Sequence, residues 1–320
     1  MTPGFPDKPL SAEASERLAG ATDRRYRLHG GEEAGAALRR VAHGRVDAAL
    51  EQLRRGTKTD VATAIHDTRK DLKKLRSLLR LVRDDLGKQR YRAENERYRD
   101  AARLLSGPRD AEVKLATLAG LRERYPDETP AAATLQRALE LEHARLAAGG
   151  PELDARIEQA AAAIAAGDAE IDGWPLDGDG FDLVSDGLER AYRRGRRGLR
   201  AVRDDPTAEA VHEWRKRVKD LWYQLRLLHD AWPAPLKAMA GEAHELSDLL
   251  GDHNDLTLLV LDARDRAAED PGTERIASLA AGRQAELLEQ AFAIGDRLYA
   301  EKPSQFTRRL ARYWQTWRPM

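Results

Sequence analysis

The sequence predicts an all-α fold built from two copies of one helical unit, and three observations carry that prediction. Ala, Leu, Arg and Glu dominate, all four are good helix formers, and no run of alternating β-branched residues offers a strand. A Gly/Asp/Pro-rich stretch from Gly167 to Gly180 divides the chain into comparable parts. Each part carries the same motif. Ile65-His66-Asp67-Thr68-Arg69-Lys70-Asp71-Leu72-Lys73 in one answers Val211-His212-Glu213-Trp214-Arg215-Lys216-Arg217-Val218-Lys219 in the other, at the constant offset of 146 that separates His66 from His212.

Residues 1–30 read as an irregular arm containing Pro3, Pro6 and Pro9. Helical patterns follow over 32–55, 60–86, 88–106, 110–124, 130–148 and 151–167, which together make a first repeat spanning 31–167. A linker, 168–180, leads to a second repeat, 181–318, with helices over 182–203, 206–230, 234–250, 255–268, 271–299 and 303–317. Pro126, Pro130, Pro151, Pro206, Pro233, Pro271 and Pro303 fall at breaks or first turns, where a missing N–H costs nothing. The repeat extends beyond its motif. Leu75, Leu79 and Arg80 match Leu221, Leu225 and Arg226 at the same offset. Leu104, Leu105 and Asp110 match Leu249, Leu250 and Asp255 downstream, and Leu38 and Arg40 match Leu188 and Arg190 upstream. Three blocks in one order, separated by small indels, make chance a poor account of them.

With 320 residues the chain can bury a sizeable core, and its high charge and low aromatic content fit a soluble chain of amphipathic helices. The absence of cysteine removes disulfides, thiol nucleophiles and cysteine-based metal centres. No apolar run reaches the roughly 20 residues of a membrane span, and the N-terminus lacks the apolar segment of a secretory signal, so a cytoplasmic location away from membranes is expected. Lys and Arg balance Asp and Glu at 54 each. Zero net charge argues against a uniformly basic nucleic-acid coat, and attention passes to local patches.

The repeated motif supplies them. With His66 set at zero and about 100° per residue, Arg69, Lys70, Lys73 and Arg80 fall within about 60° of it, with Lys74 and Arg76 at about 80° on either side. Leu72, Leu75, Leu78, Leu79 and Val82 gather on the opposite side. In the second copy His212, Arg215, Lys216, Lys219 and Arg226 share a face with Trp222 and Tyr223. Solvation is the plain account of a charged helix face. Three features set these two apart. Solvated faces usually alternate sign at i,i+4, whereas here cation stands over cation at a few tenths of a kcal/mol per pair. The His and the cations persist in both copies, while Asp67 and Thr68 change to Glu213 and Trp214. A further cationic run precedes the second motif (Arg190, Arg193, Arg194, Arg196, Arg197, Arg200 and Arg203, with no acid among them), with a weaker counterpart in Arg39, Arg40, His43 and Arg45. Repulsion of this kind is normally offset by a polyanion. Two such faces meeting across a groove would focus positive potential, with Arg supplying forks and Lys point charges. The balancing acids, including Glu242, Glu245, Asp248, Asp252 and Asp255, are expected on an outer, acidic side.

At these residues the chain resembles the CHAD family, the conserved histidine α-helical domain. The likeness rests on His66-x-x-Arg69-Lys70-x-x-Lys73-Lys74-x-Arg76 and His212-x-x-Arg215-Lys216-x-x-Lys219, and on the turns Leu105-Ser106-Gly107-Pro108-Arg109-Asp110 and Leu250-Gly251-Asp252-His253-Asn254-Asp255. The second copy departs where Asp220 and Trp222 replace Lys74 and Arg76, and where Asn254 stands for the Arg of the turn. The resemblance implies two four-helix units related by a pseudo-twofold around a basic central groove or pore. It implies binding of inorganic polyphosphate, with targeting to polyphosphate granules, and no catalysis or cofactor. By resemblance, His66, Arg69, Lys73, His212, Arg215 and Lys219 line that channel, and the cationic faces add Arg40, Lys70, Lys74, Arg76 and Arg80 from the first copy to the expected binding set. From the second copy they add Arg190, Arg194, Arg197, Lys216, Tyr223 and Arg226. Protein partners are not legible.

Other constellations compete. His66-Asp67 and His229-Asp230 are HD dyads of the kind found in helical metal phosphohydrolases, but the repeat changes Asp67 to Glu213, and Arg69, Lys70 and Lys73 would repel a metal. His244, Asp248 and Asp252 share one helix face, more simply as solvated acids than as a cation site. Asp177-Gly178-Asp179-Gly180 fails the EF-hand pattern because Leu188 occupies its twelfth position. Nucleic acid is the weaker partner class, because the first cationic face lacks the amide or aromatic groups that read bases.

Overall fold

The helix starts follow from capping chemistry. In the computed structural model, which describes residues 24–106, 108–128, 133–147, 150–178, 180–265 and 272–318, the Glu33 carboxylate accepts from the backbone N–H groups of Gly35 and Ala36 to open α1 (Ala34–Arg55). Asp60 accepts from Thr63 N–H to open α2 (Val61–Leu81). A single turn, α3 (Arg83–Leu86), and Gly87 at φ +73° redirect the chain into α4 (Lys88–Leu104). Then come α5 (Pro108–Arg124), α6 (Ala133–Ala147) and α7 (Pro151–Ile171), the last with Pro151 in its first turn. The C-terminal half contributes α8 (Asp182–Asp204), α9 (Ala208–Leu227, capped by Thr207), α10 (Pro233–Asp265), α11 (Gly272–Leu298) and α12 (Pro303–Trp317). No strand occurs among the described residues, so the all-α class holds.

Four boundaries differ from the sequence reading. The helix expected over 60–86 breaks at Val82, between α2 and α3. The helix over 151–167 continues to Ile171, four residues into the expected linker. Gly167 is there for close packing: a Cβ on it would lie 2.2 Å from the Tyr98 hydroxyl oxygen, while Ile171 is fully buried. The break expected between 250 and 255 does not form, because α10 runs unbroken for 33 residues. Burial of Leu250, Leu256 and Leu259 outweighs the weak helix propensity of Gly251 and Asn254. The end of the expected N-terminal arm is not loose. Tyr26 and Leu28 are buried while Arg25 and Arg27 face out, and Leu28 N–H donates to Leu227 O at 3.0 Å, so a bent strap joins the two halves. Residues 1–23 lie outside the described residues.

The apolar stripe of α2 is buried as its spacing predicts. Leu72, Leu75, Leu78, Leu79 and Val82 are each at most 1% exposed, worth about 1.5–3 kcal/mol apiece. They join one core that draws on both halves, with Leu38 and Tyr98 from the first and Leu188, Trp214, Leu221 and Leu225 from the second. A second, smaller core forms where Leu118 and Leu121 of α5 and Leu135 and Leu139 of α6 meet Leu256, Leu259, Ile276 and Ala280 on the far ends of α10 and α11. Beside the strap, the halves therefore meet along α2, α8 and α9 and again through α5 and α10. No described helix is long and apolar enough to cross a membrane.

Candidate functional site

The seam between α2 and the α8–α9 pair carries most of the convergent charge. Ser77 Oγ donates to Asp220 O at 3.2 Å, fixing α2 against α9. The Asp220 carboxylate then accepts from Arg80 Nη1 across the seam at 2.9 Å and from Arg217 Nη1 on its own helix at 3.1 Å. Arg190 of α8 donates to Asp84 at 2.6 Å and to Arg80 O at 3.2 Å. Arg83 lies over the Tyr91 ring, 5.2 Å from its centroid, and Arg76 donates to Asn95 Oδ1 at 3.1 Å. Burial, reinforced by Arg80, pushes the Arg76 guanidinium down to about 10. Burial and then the Arg217 charge lower Arg194. Six guanidiniums (Arg76, Arg80, Arg83, Arg190, Arg194 and Arg217) thus crowd around the carboxylates of Asp220 and Asp84. Arg76, Arg80, Arg190 and Arg194 belong to the set expected from sequence; Arg83 and Arg217 do not.

The two His-x-x-Arg motifs lie along the same helices. Arg69 Nη1 donates to Leu105 O at 3.3 Å, where α4 ends. Arg215 Nε donates to Ser247 O at 3.3 Å and lies flat against Gly251 of α10. Each motif arginine therefore grips the backbone of the facing helix through its guanidinium. Arg109 and Asp110, in the first of the two turns, have side chains outside the described set. His212 Nδ1 sits 3.0 Å from Asn254 Oδ1, so the turn's Asn partners the motif histidine. His66 is half-buried and Lys73 exposed on the same face of α2. Lys70 pairs with Asp67 at 3.8 Å and Lys216 pairs with Glu213. Lys219 and Arg226 both cover the Trp222 ring, which is stacked on Tyr223 and stands 4.2 Å from His244. Arg197 is exposed on α8.

Three expected residues point elsewhere. Lys74, about 80° off the motif on a helical wheel, turns inward. Its ammonium donates to Asp71 at 2.6 Å, Asp71 also accepts from Arg45 at 2.9 Å, and Lys74 is 8% exposed. Burial lowers its affinity for protons against the pull of Asp71. Tyr223 is buried, and burial pushes its phenol up to about 12. Arg40 is held by Glu32 through two bonds of 2.8 and 2.7 Å, and by Arg27 O. At the positions that the 146-residue offset pairs, Asp71–Lys74 in one half becomes Arg217–Asp220 in the other. The pair is kept with its signs exchanged, and Asp220 serves Arg80 of the opposite half.

The acidic stretch is not a bare outer shell. Glu242 pairs with Arg297 and His244 with Asp248, while Asp252 and Asp255 share a cleft with Arg124 and Arg283. Burial, with the Asp255 and Asp248 charges, raises Asp252. The second HD dyad is structural: Asp230 bonds His229 at 2.8 Å and also draws in Arg27 and His29. Among the described residues no group of three or more His, Asp or Glu is placed to hold a metal ion. Asp179 of the candidate calcium loop lies outside the described residues, and Asp177 faces Arg39 at 3.4 Å.

A model of the CHAD domain matches residues 40–264. A solved structure, the CHAD domain from the plant Ricinus communis, is similar over 88% of this chain and 96% of its own, with 17% identity and a TM-score of 0.63. At that identity the likeness speaks for the fold alone. No curated protein matches the chain.

Proposed function

The chain belongs to the CHAD domain family, and we propose that it is a non-catalytic module that binds inorganic polyphosphate. The observation that carries this reading is the convergence of six arginines from α2, α3, α8 and α9 on two carboxylates. Such an excess of half-buried and exposed positive charge is offset well by a flexible chain of phosphates. In this reading the two halves are pseudo-twofold repeats, and their motif helices border a basic groove. Arg80, Arg190 and Arg194 meet phosphoryl oxygens at the seam. His66, Arg69 and Lys73 extend the track on one side, and His212, Arg215 and Lys219 on the other. A cytoplasmic place at polyphosphate granules follows from that ligand. Nucleic acid is disfavoured because Trp222, the aromatic nearest the cations, is closed between Tyr223 and His244 and offers no ring face to a base.

Calorimetric titration of long-chain polyphosphate, with pyrophosphate and duplex DNA as controls, tests the reading. The long chain should bind tightest, and log K should fall linearly with log salt through counterion release. Lys73→Glu and Lys219→Glu should each weaken binding and flatten the salt slope by about 1. Unchanged affinity in both variants, or equal binding of DNA, would remove the assignment.

A further inference from the structure

A cavity of about 580 Å³ lies between α5, α10 and α11, beside the second core and lined by none of the seam arginines. That volume is in the range that holds a small organic molecule. Leu121, Leu256 and Leu287, all buried, give it apolar walls. Its carboxylates stand on two helices, Glu123 on α5 and Asp252 and Asp255 on α10. Arg124 and Arg283 line it too, but both donate to Glu286, at 2.8 and 2.7 Å, so their charges are already answered. Neither Glu123 nor Asp252 has a hydrogen-bond or ion-pair partner among the described residues. Burial, with the Asp255 and Asp248 charges behind it, raises Asp252 against the pull of Arg215 and Arg283. Gly120 adds an independent sign. It sits inside α5, where glycine weakens a helix, yet a Cβ on it would meet no atom of the described residues within 4 Å. Packing does not require this glycine; what it leaves is room in the cavity it lines.

We propose that this cavity binds a linear aliphatic diamine, with its methylene chain along Leu121, Leu256 and Leu287 and its two ammonium ends at Asp252 and Glu123. Aliphatic amines are charged at neutral pH, and an ammonium carries three donors and no acceptor, which suits carboxylates that lack partners. A flexible apolar stem covers the leucines while the charged ends stay at the carboxylates. An ammonium beside Asp252 also relieves its repulsion with Asp255 and Asp248. A bare metal ion would leave the leucines uncovered, and the carboxylates of the described residues are not grouped to hold one. The inference goes beyond polyphosphate binding and does not require it.

The test titrates hexamethylenediamine, hexylamine and magnesium chloride separately into the full chain by calorimetry, at neutral pH and constant ionic strength. The diamine should bind at least about tenfold tighter than hexylamine, which has the same stem and only one ammonium. Asp252→Asn and Glu123→Gln should each weaken the diamine about tenfold, toward the level of the monoamine. Gly120→Leu should raise the melting temperature, because leucine is the better helix former, and abolish diamine binding by filling the cavity. Diamines held loosely by scattered surface acids would be indifferent to that change. An absence of diamine binding, equal affinities for diamine and hexylamine or for diamine and magnesium, or binding that survives in Gly120→Leu would each overturn the proposal. Should Gly120→Leu fail to fold, the two carboxylate variants decide, since both side chains are exposed and both substitutions keep their shape. Lost diamine binding with long-chain polyphosphate still bound would count against this inference alone. Lost polyphosphate binding in Lys73→Glu with the diamine still bound would bear on the groove alone and support a separate site.

Discussion

Replacing Asp220 by Asn sets stability against affinity. The Asp220 side chain is 8% exposed and accepts from Arg80 at 2.9 Å and from Arg217 at 3.1 Å. Asn keeps the shape and one acceptor but removes the charge that two guanidiniums were placed to meet. Removing one partner of a buried ion pair costs about 3–5 kcal/mol, mostly through the charge left behind. The abandoned arginines are 21% and 17% exposed and recover some water, so the lower end applies, about 3 kcal/mol. At about 2 °C per kcal/mol for a chain of this size, the melting temperature should fall by roughly 6 °C. Urea denaturation is the assay of choice, since guanidinium salt would screen the charges under study. The same change strips an acid from a cationic cleft, so long-chain polyphosphate should bind Asp220→Asn more tightly than wild type. At about 100 times its dissociation constant it should restore about 2.7 kcal/mol, most of the loss. A destabilisation below about 1 kcal/mol, or a variant that polyphosphate does not rescue, would refute the view that this carboxylate holds the seam against its own arginines.

Gly187→Ala should cost about 3 kcal/mol, because the new Cβ would stand 1.9 Å from Leu81 O, a backbone atom that cannot swing aside, and thermal unfolding reads the loss directly. Gly251→Ala should behave oppositely. Its Cβ would meet only the end of the Arg215 side chain at 2.6 Å, so stability should stay within about 1 kcal/mol while Arg215 leaves Ser247 O and polyphosphate affinity falls several-fold by calorimetry. His43 gives a pH dependence. Burial pulls its protonation down, but hydrogen bonds to Asp168 at 2.6 Å and Asp172 at 2.9 Å outweigh it, so the net shift is upward. The stabilisation is then complete below the ordinary histidine value and disappears as pH rises through the elevated one. Urea midpoints at mildly acid and mildly alkaline pH should differ in wild type by more than in His43→Gln, and equal differences would remove His43 from the account.

The sequence carried the features that depend on one helix at a time. The stripe from Leu72 to Val82 and the caps Asp60 and Thr207 are local matters of period and hydrogen-bonding chemistry. The internal offset identified both motif helices before any geometry was known. Lys74 shows where this reading stops. A wheel angle of about 80° places it between core and solvent, and only Arg45 and Asp71 decide that it turns inward. Arg83 stands one turn beyond Arg80 and its period could have flagged it. Arg217 could not be flagged, because it lies off the motif face and matters only through the α2–α9 seam.

By itself the sequence determined an all-α chain with two related cationic helices, because helix period and capping are written into neighbouring residues. Tertiary structure alone decided which cations meet. Asp220 reads in sequence as the loss of a lysine, yet in the fold it is the carboxylate that lets Arg80 of one half approach Arg217 of the other. Charges separated by 140 residues interact only through space, and their energy falls with a distance that no linear pattern records.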